Sequence, residues 1–337
     1  MITNFSFSKL SLLTLAIFAL AFTSCDDDDD NLLGFDLDDD GTVFLSSNTS
    51  GTVGILDLED TPLTIETFAT RGNDADGIYY ESGEGNIYQV NRSSGSVVEY
   101  NDVIDDLDDP NGVDIESESS ADFTQGRGLA VMDDMLVVAD NFSTDSTMNA
   151  FYRYEITGDE EISYVGMHST PIDLWGIQFN GNSLYAVVDN SDSLAIFDNF
   201  LANMAGDTVM PTRYIKIDGL TRTHGLEYNA EDDIMILTDI GDAGSDSDGG
   251  LIVIRNFSAI TDNTIGSANY TMISGAATML GNPVDVDYDP ETGRIYVAER
   301  LNSQGMLLIF ENDASGDMAP VEMLPFAGIS SLDLYRD

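Results

Sequence analysis

A four-segment pattern returns along this chain at intervals of about fifty residues, and it restricts the fold more than any other feature. Its clearest copy begins at residue 283, PVDVDYDPETGRIYVAERLNSQGMLLIFEN. Residues 284–287 alternate apolar and polar side chains, 289–293 read as a turn, and 294–299 and 306–310 are two further strands. Alternation, β-branched and aromatic content, and Gly/Pro/Asn/Asp punctuation predict an antiparallel meander. Equivalent first strands fall at 76–80, 127–131, 175–179, 224–228, 284–287 and 329–335. Aligned on Gly77, Gly128, Gly176, Gly225, Asp285 and Ser331, they are 51, 48, 49, 60 and 46 residues apart.

A period near fifty with four strands per unit predicts an all-β chain, a six-bladed β-propeller. The N-terminal unit, with strands at 42–48, 53–58 and 63–69, lacks a first strand, and the C-terminal strand 329–335 lacks followers. Paired, they complete one blade and close the ring, which removes two open sheet edges. Five whole units and one composite give six blades in a single domain, 41–337.

The preceding residues have another character. Residues 10–22 are apolar or small, too short to span a bilayer and of the length of a signal-peptide core. The segment 1–24 ends at the chain's single cysteine, Cys25, followed by Asp26–Asp30. The cysteine after such a core resembles the lipobox of bacterial lipoproteins, with Phe22 where that family prefers leucine. The acidic run resembles the surface-export signal of Bacteroidota lipoproteins. The resemblance implies removal of the signal peptide, lipidation at Cys25, an acidic tether over 25–40, and a place in the outer membrane on the cell surface, the periplasmic face being the alternative. With 61 acidic residues against 12 basic and a net charge of −49, the chain repels nucleic acid. The expected partners are the membrane, through the lipid, and either an outer-membrane protein complex or a small-molecule or glycan ligand.

The segments LVVADN, LYAVVDN and IYVAER, each followed by an apolar strand such as AFYRYEI or LLIFEN, resemble NHL-type and related six-bladed propellers. Those include the gluconolactonase group. That resemblance implies the fold, and it is shared by binders and enzymes. The gluconolactonase group holds a divalent metal in its channel through Glu, Asn and Asp. Its early glutamate motif is missing here, so those ligands are not transferred to this chain.

In a propeller, the loops that lead into the innermost strands and those that leave the second strands share one face. Here they carry Asp76, Arg127, Asp173, Trp175, Arg222, His224, Asp285, Glu299 and Arg300, the candidate binding residues, with Asn48, Asn73, Asp74, Asn91, Arg92, Asn141, Asn190, Asp192, Asp242, Asn282, Asn302 and Ser330 among their neighbours. Carboxylates recur at the ends of second strands, and oxygen donors converging on an axis suit Ca²⁺. Asp140, Asp189 and Asp239, with Asp285 of a first strand, are therefore the candidate metal ligands and Ca²⁺ the candidate cofactor. His224 is the candidate catalytic group, Trp175 a candidate platform for a sugar ring. No Gly-x-Ser-x-Gly, His-Glu-x-x-His or phosphate-loop motif occurs. The leading expectation is a surface-anchored binding propeller. The alternative is a Ca²⁺-dependent hydrolase of lactonase or phosphoesterase type working through channel carboxylates.

Overall fold

The computed structural model describes residues 41–108, 112–142, 148–157 and 161–336. The signal segment, Cys25 and the acidic tether lie outside the described residues. The chain forms six blades around a central channel. Strands β1 (Thr42–Ser47), β2 (Thr52–Asp57) and β3 (Ile65–Ala69) begin blade one. Blade two is β4 (Ala75–Glu81), β5 (Asn86–Asn91), β6 (Ser96–Tyr100) and β7 (Ile115–Glu118). Blade three is β8 (Gly126–Met132), β9 (Met135–Asp140), β10 (Asn149–Thr157) and β11 (Glu161–Thr170). Blade four is β12 (Leu174–Asn180), β13 (Ser183–Val188), β14 (Ser193–Phe197) and β15 (Arg213–Ile217). Blade five contains β16 (Leu226–Asn229), β17 (Ile234–Asp239) and β18 (Gly250–Arg255). The chain then adds the short β19 (Thr264–Ile265) in parallel to β15 of blade four, and returns as β20 (Thr271–Ser274). This excursion accounts for the long spacing of 60 between Gly225 and Asp285. Blade six is β21 (Pro283–Tyr288), β22 (Ile295–Glu299), β23 (Met306–Phe310) and β24 (Glu322–Pro325), after which β25 (Ile329–Tyr335) completes blade one.

The expected closure is present. β25 pairs antiparallel with β1, with Val43 opposite Leu334, Leu45 opposite Leu332 and Ser47 opposite Ile329. Ile329 and Leu332 are buried.

The core is divided into wedges between adjacent blades. Along β17, Ile234 and Ile236 pack with Val286 and Val297 of blade six, whereas Met235 and Leu237 pack with Val187 and Ile215 of blade four. Middle strands are thus covered on both faces, which is why IMILTD and MLLIF read as nearly unbroken apolar runs.

The innermost strands are the edges of their sheets, and side chains from neighbouring blades satisfy their free amides. Leu332 N–H donates to Asp285 (3.1 Å), Leu334 N–H to Asp287 (2.8 Å), Tyr80 N–H to Asp333 (2.7 Å) and Tyr228 N–H to Gln178 (2.7 Å). Polar groups in the channel wall therefore act as inter-blade clamps.

Candidate functional site

Five of the six innermost strands carry a register shift near their start: at 75–78, 126–129, 174–177, 283–285, and opposite Ser46–Ser47 in β25. An added residue at a bulge re-aims a side chain out of the sheet. The residue immediately before each aligned repeat position is Asp76, Arg127, Trp175, His224, Val284 or Ser330, and all six line one cavity of about 440 Å³ at the channel mouth. The following glycines allow the strands to converge. A Cβ on Gly128 would lie 2.9 Å from the Trp175 carbonyl oxygen, and one on Gly176 2.5 Å from that of His224.

Three of these side chains form a stack across blades three, four and five. The Trp175 ring lies parallel to His224, 3.5 Å between centroids and 4° between planes. The Arg127 guanidinium carbon sits 3.9 Å from the Trp175 centroid, a cation–π contact. The two distances place Arg127 and His224 on opposite faces of the indole. Trp175 therefore has neither face free for a sugar ring, and its role is to hold its two polar neighbours at the mouth.

Arginines gather at this mouth: Arg92, Arg127, Arg222 and Arg300 all line it. Arg92 contacts Asp74 through Nε (3.0 Å) and Asp76 through Nη1 (3.0 Å). Arg127 reaches Asp76 at 3.3 Å. Burial pushes the Asp76 carboxyl up to about 6, against the pull of Arg92. Arg222 forms a bidentate pair with Asp189, Nε–Oδ1 2.6 Å and Nη2–Oδ2 3.1 Å. Burial alone would raise the Asp189 carboxyl, but His224 and Arg222 bring it down to about 2. His224 Nε2 lies 3.2 Å from Asp189 Oδ1, off hydrogen-bond geometry, and Nδ1 is buried with no hydrogen-bond partner. Burial lowers the pKa of His224, with Asp189 opposing, so its imidazole is neutral near pH 7.

Six of the nine candidate binding residues meet at the mouth: Asp76, Arg127, Trp175, Arg222, His224 and Arg300. The other three lie elsewhere. Asp173 is exposed and accepts a hydrogen bond from Asn149 at 3.0 Å. Glu299 is buried under its own loop, accepting the N–H groups of Gly281, Asn282 and Leu301. Asp285 sits deeper, in a second channel cavity of about 280 Å³ that it shares with Glu227, Asp287 and Asp333. The sequence reading missed those three carboxylates and, at the mouth, Gln125, Val284 and Ala243. Val284 could have been found by applying the repeat alignment strictly.

The four candidate metal ligands are not brought together. Asp140 accepts the Gln125 N–H (2.6 Å), and Asp239 accepts those of Thr221 and Arg222 (both 3.0 Å). Asp189 is held by Arg222, and Asp285 by Ser331 and Leu332. Asp140 and Asp239, at second-strand ends, brace loops of their own blades, Asp189 is tied to the next blade, and the four do not converge on the axis. Among the described residues no group of three His, Cys, Asp or Glu side chains is placed to hold a metal ion. The residues present do not fit a Ca²⁺ site at the mouth, where arginines dominate.

No family model matches the chain, and no curated protein matches it. Solved structures do. A candidate 6-phosphogluconolactonase of Bacteroides fragilis superposes with a TM-score of 0.60 at 12% identity, covering 89% of this chain and 99% of that one. A protein of unknown function from Bacteroides caccae gives 0.58 at 10% identity, covering 88% and 99%. The periplasmic gluconolactonase of Pseudomonas aeruginosa gives 0.56 at 11% identity, covering 87% and 98%. At these identities the likeness is one of architecture: the chain is a six-bladed β-propeller with a polar, arginine-lined channel mouth.

Proposed function

We propose that this protein is an outer-membrane lipoprotein, anchored through Cys25 and carried on its acidic tether, whose propeller captures a small molecule at the channel mouth. The observation that carries the binding reading is the ring of six unlike side chains at one repeat position, enclosing a cavity of about 440 Å³. A purely structural repeat needs no such diversity, and the volume falls in the range of small-ligand pockets, roughly 300–1,000 Å³. The anchor rests on the order of apolar core, cysteine and aspartates in residues 10–30. Mass spectrometry that finds Cys25 unmodified in mature protein removes it.

The mouth contains its own reporter, because Trp175 is the only tryptophan of the chain. Titrating the protein with a panel of sugars, sugar acids and lactones should change Trp175 fluorescence saturably for at least one compound. A folded protein whose fluorescence responds to none of them counts against capture at this site.

A second reading, lactone hydrolysis, is favoured by His224. A neutral imidazole with no hydrogen bond on either ring nitrogen could take a proton from water as the oxygen adds to a lactone carbonyl, once a small shift of the mouth admits that water to the ring. An arginine of the mouth would then face the developing oxyanion. Two of the similar solved structures carry lactonase names. Acid release from gluconolactone above the spontaneous rate, lost in His224→Gln, would select this reading over simple capture.

A further inference from the structure

We infer that the channel mouth is selective for a small oxyanion, a carboxylate or a phosphate; this rests on the reading of the mouth as a small-molecule site. The chain has 61 acidic residues and 12 basic ones, yet four of its ten arginines converge on this one cavity. Their ion pairs account for three carboxylates: Asp74 and Asp76 with Arg92, Asp76 also with Arg127, and Asp189 with Arg222. One positive charge is left over: among the described residues Arg300 makes no ion pair, and it acts on Asp76 only at longer range. Arg300 Nη2 donates to the neutral amide oxygen of Asn48 at 3.1 Å, and among the described residues no carboxylate lies within ion-pair distance of it.

Two polar side chains lining the same cavity are more than nine-tenths buried and carry atoms without a hydrogen-bond partner. They are Asn282, whose Oδ1 is unpaired, and His224, whose Nδ1 is unpaired. Buried polar atoms of this kind are rare in folded proteins, and here both are closed to solvent. Arg300 offers a planar fork that matches the two oxygens of a carboxylate or phosphate. A neutral sugar would leave Arg300 without a paired carboxylate, and a cation would face four guanidinium groups. An anion must also approach an acidic molecule, so binding depends on this local excess of positive charge.

Gluconate, glucose 6-phosphate and glucose share a hydroxylated body and differ in charge, which makes them the probes. Calorimetry with the full chain in detergent should show gluconate or glucose 6-phosphate binding at least tenfold tighter than glucose. Arg300→Gln should weaken that binding tenfold or more, and Arg300→Lys should weaken it less. Binding of gluconate alone identifies a carboxylate ligand, and of glucose 6-phosphate alone a phosphate ligand. Glucose binding as tightly as the anions, or unchanged anion binding in Arg300→Gln, overturns the oxyanion inference while leaving capture at the mouth intact. A Trp175 response to neutral or lactone compounds with no binding of either anion does the same.

Discussion

Asp189 occupies the position that in other blades holds Asp140, Asp239 or Glu299, but its carboxylate does different work. Those three accept backbone N–H groups of their own blade's inner loop. Asp189 reaches across to Arg222 and His224 of the next blade, which fixes the polar half of the mouth. The Arg127–Trp175–His224 stack depends in turn on how closely β12 approaches blade five. Gly176 N–H donates to the His224 carbonyl at 2.8 Å, and there is no room for a side chain at Gly176. Gly176→Ala should therefore cost about 1–3 kcal/mol, because the opposing atoms are backbone and cannot rotate away. Urea unfolding gives the free energy, and the emission of Trp175 reports the stack. A variant as stable as the parent, with unchanged emission, would show that the blades tolerate a wider spacing.

At the scale of the element, the innermost strands are exposed edges whose amides are met by carboxylates held in a narrow channel. Burial raises those carboxyls and that of Glu227 beside them, Asp333 to about 6, Asp285 to about 7 and Glu227 to about 8, with Asp287 raised as well. Their unfolded values are near 3.9 for Asp and 4.3 for Glu. The folded state therefore binds more protons. The stabilising contribution is fully present below about pH 4 and is lost as pH rises through 6, 7 and 8. Asp189, held at about 2, acts oppositely: its contribution is lost as pH falls from about 4 to 2. The melting temperature should fall between pH 5 and 8.5. General repulsion in so acidic a chain has the same sign, so a variant is needed to separate the two. Glu227→Gln keeps an oxygen that can accept from Gln178, which now donates to Glu227 at 2.6 Å, and should flatten the decline above pH 6. A parallel decline in parent and variant would assign the whole effect to surface charge.

For the whole molecule, stability rests on closure. The C-terminal strand gives β1 its inner partner, places Asp333 against the Tyr80 amide and brings Arg336 to Asp289. Deleting residues 328–337 opens the ring at one edge and removes Ile329 and Leu332 from the wedge between blades one and six. The loss should exceed about 4 kcal/mol, enough to abolish a single cooperative melt near the parent's temperature. Calorimetry of the truncated chain decides this, and an unchanged transition would mean that closure contributes little.

The architecture was legible in the sequence because it rests on local, repeated chemistry. Strand periodicity, turn residues and the spacing of Gly77, Gly128, Gly176 and Gly225 are properties of neighbouring residues, and together they determined six blades and the pairing of the chain ends. The same alignment placed Asp76, Arg127, Trp175 and His224 at one register, so much of the mouth could be read as well. What each charged group does there was decided only by the tertiary structure. Asp140, Asp189, Asp239 and Asp285 look alike in sequence, but a carboxylate's role depends on which donor reaches it first, a backbone amide of its own loop or a guanidinium from the next blade. Trp175 was free to stack on a ligand until packing set Arg127 and His224 against its two faces. Arg300 stands apart from the other three mouth arginines only because closure of the ring brings it beside Asn48, 252 positions away in the chain, rather than beside an acid.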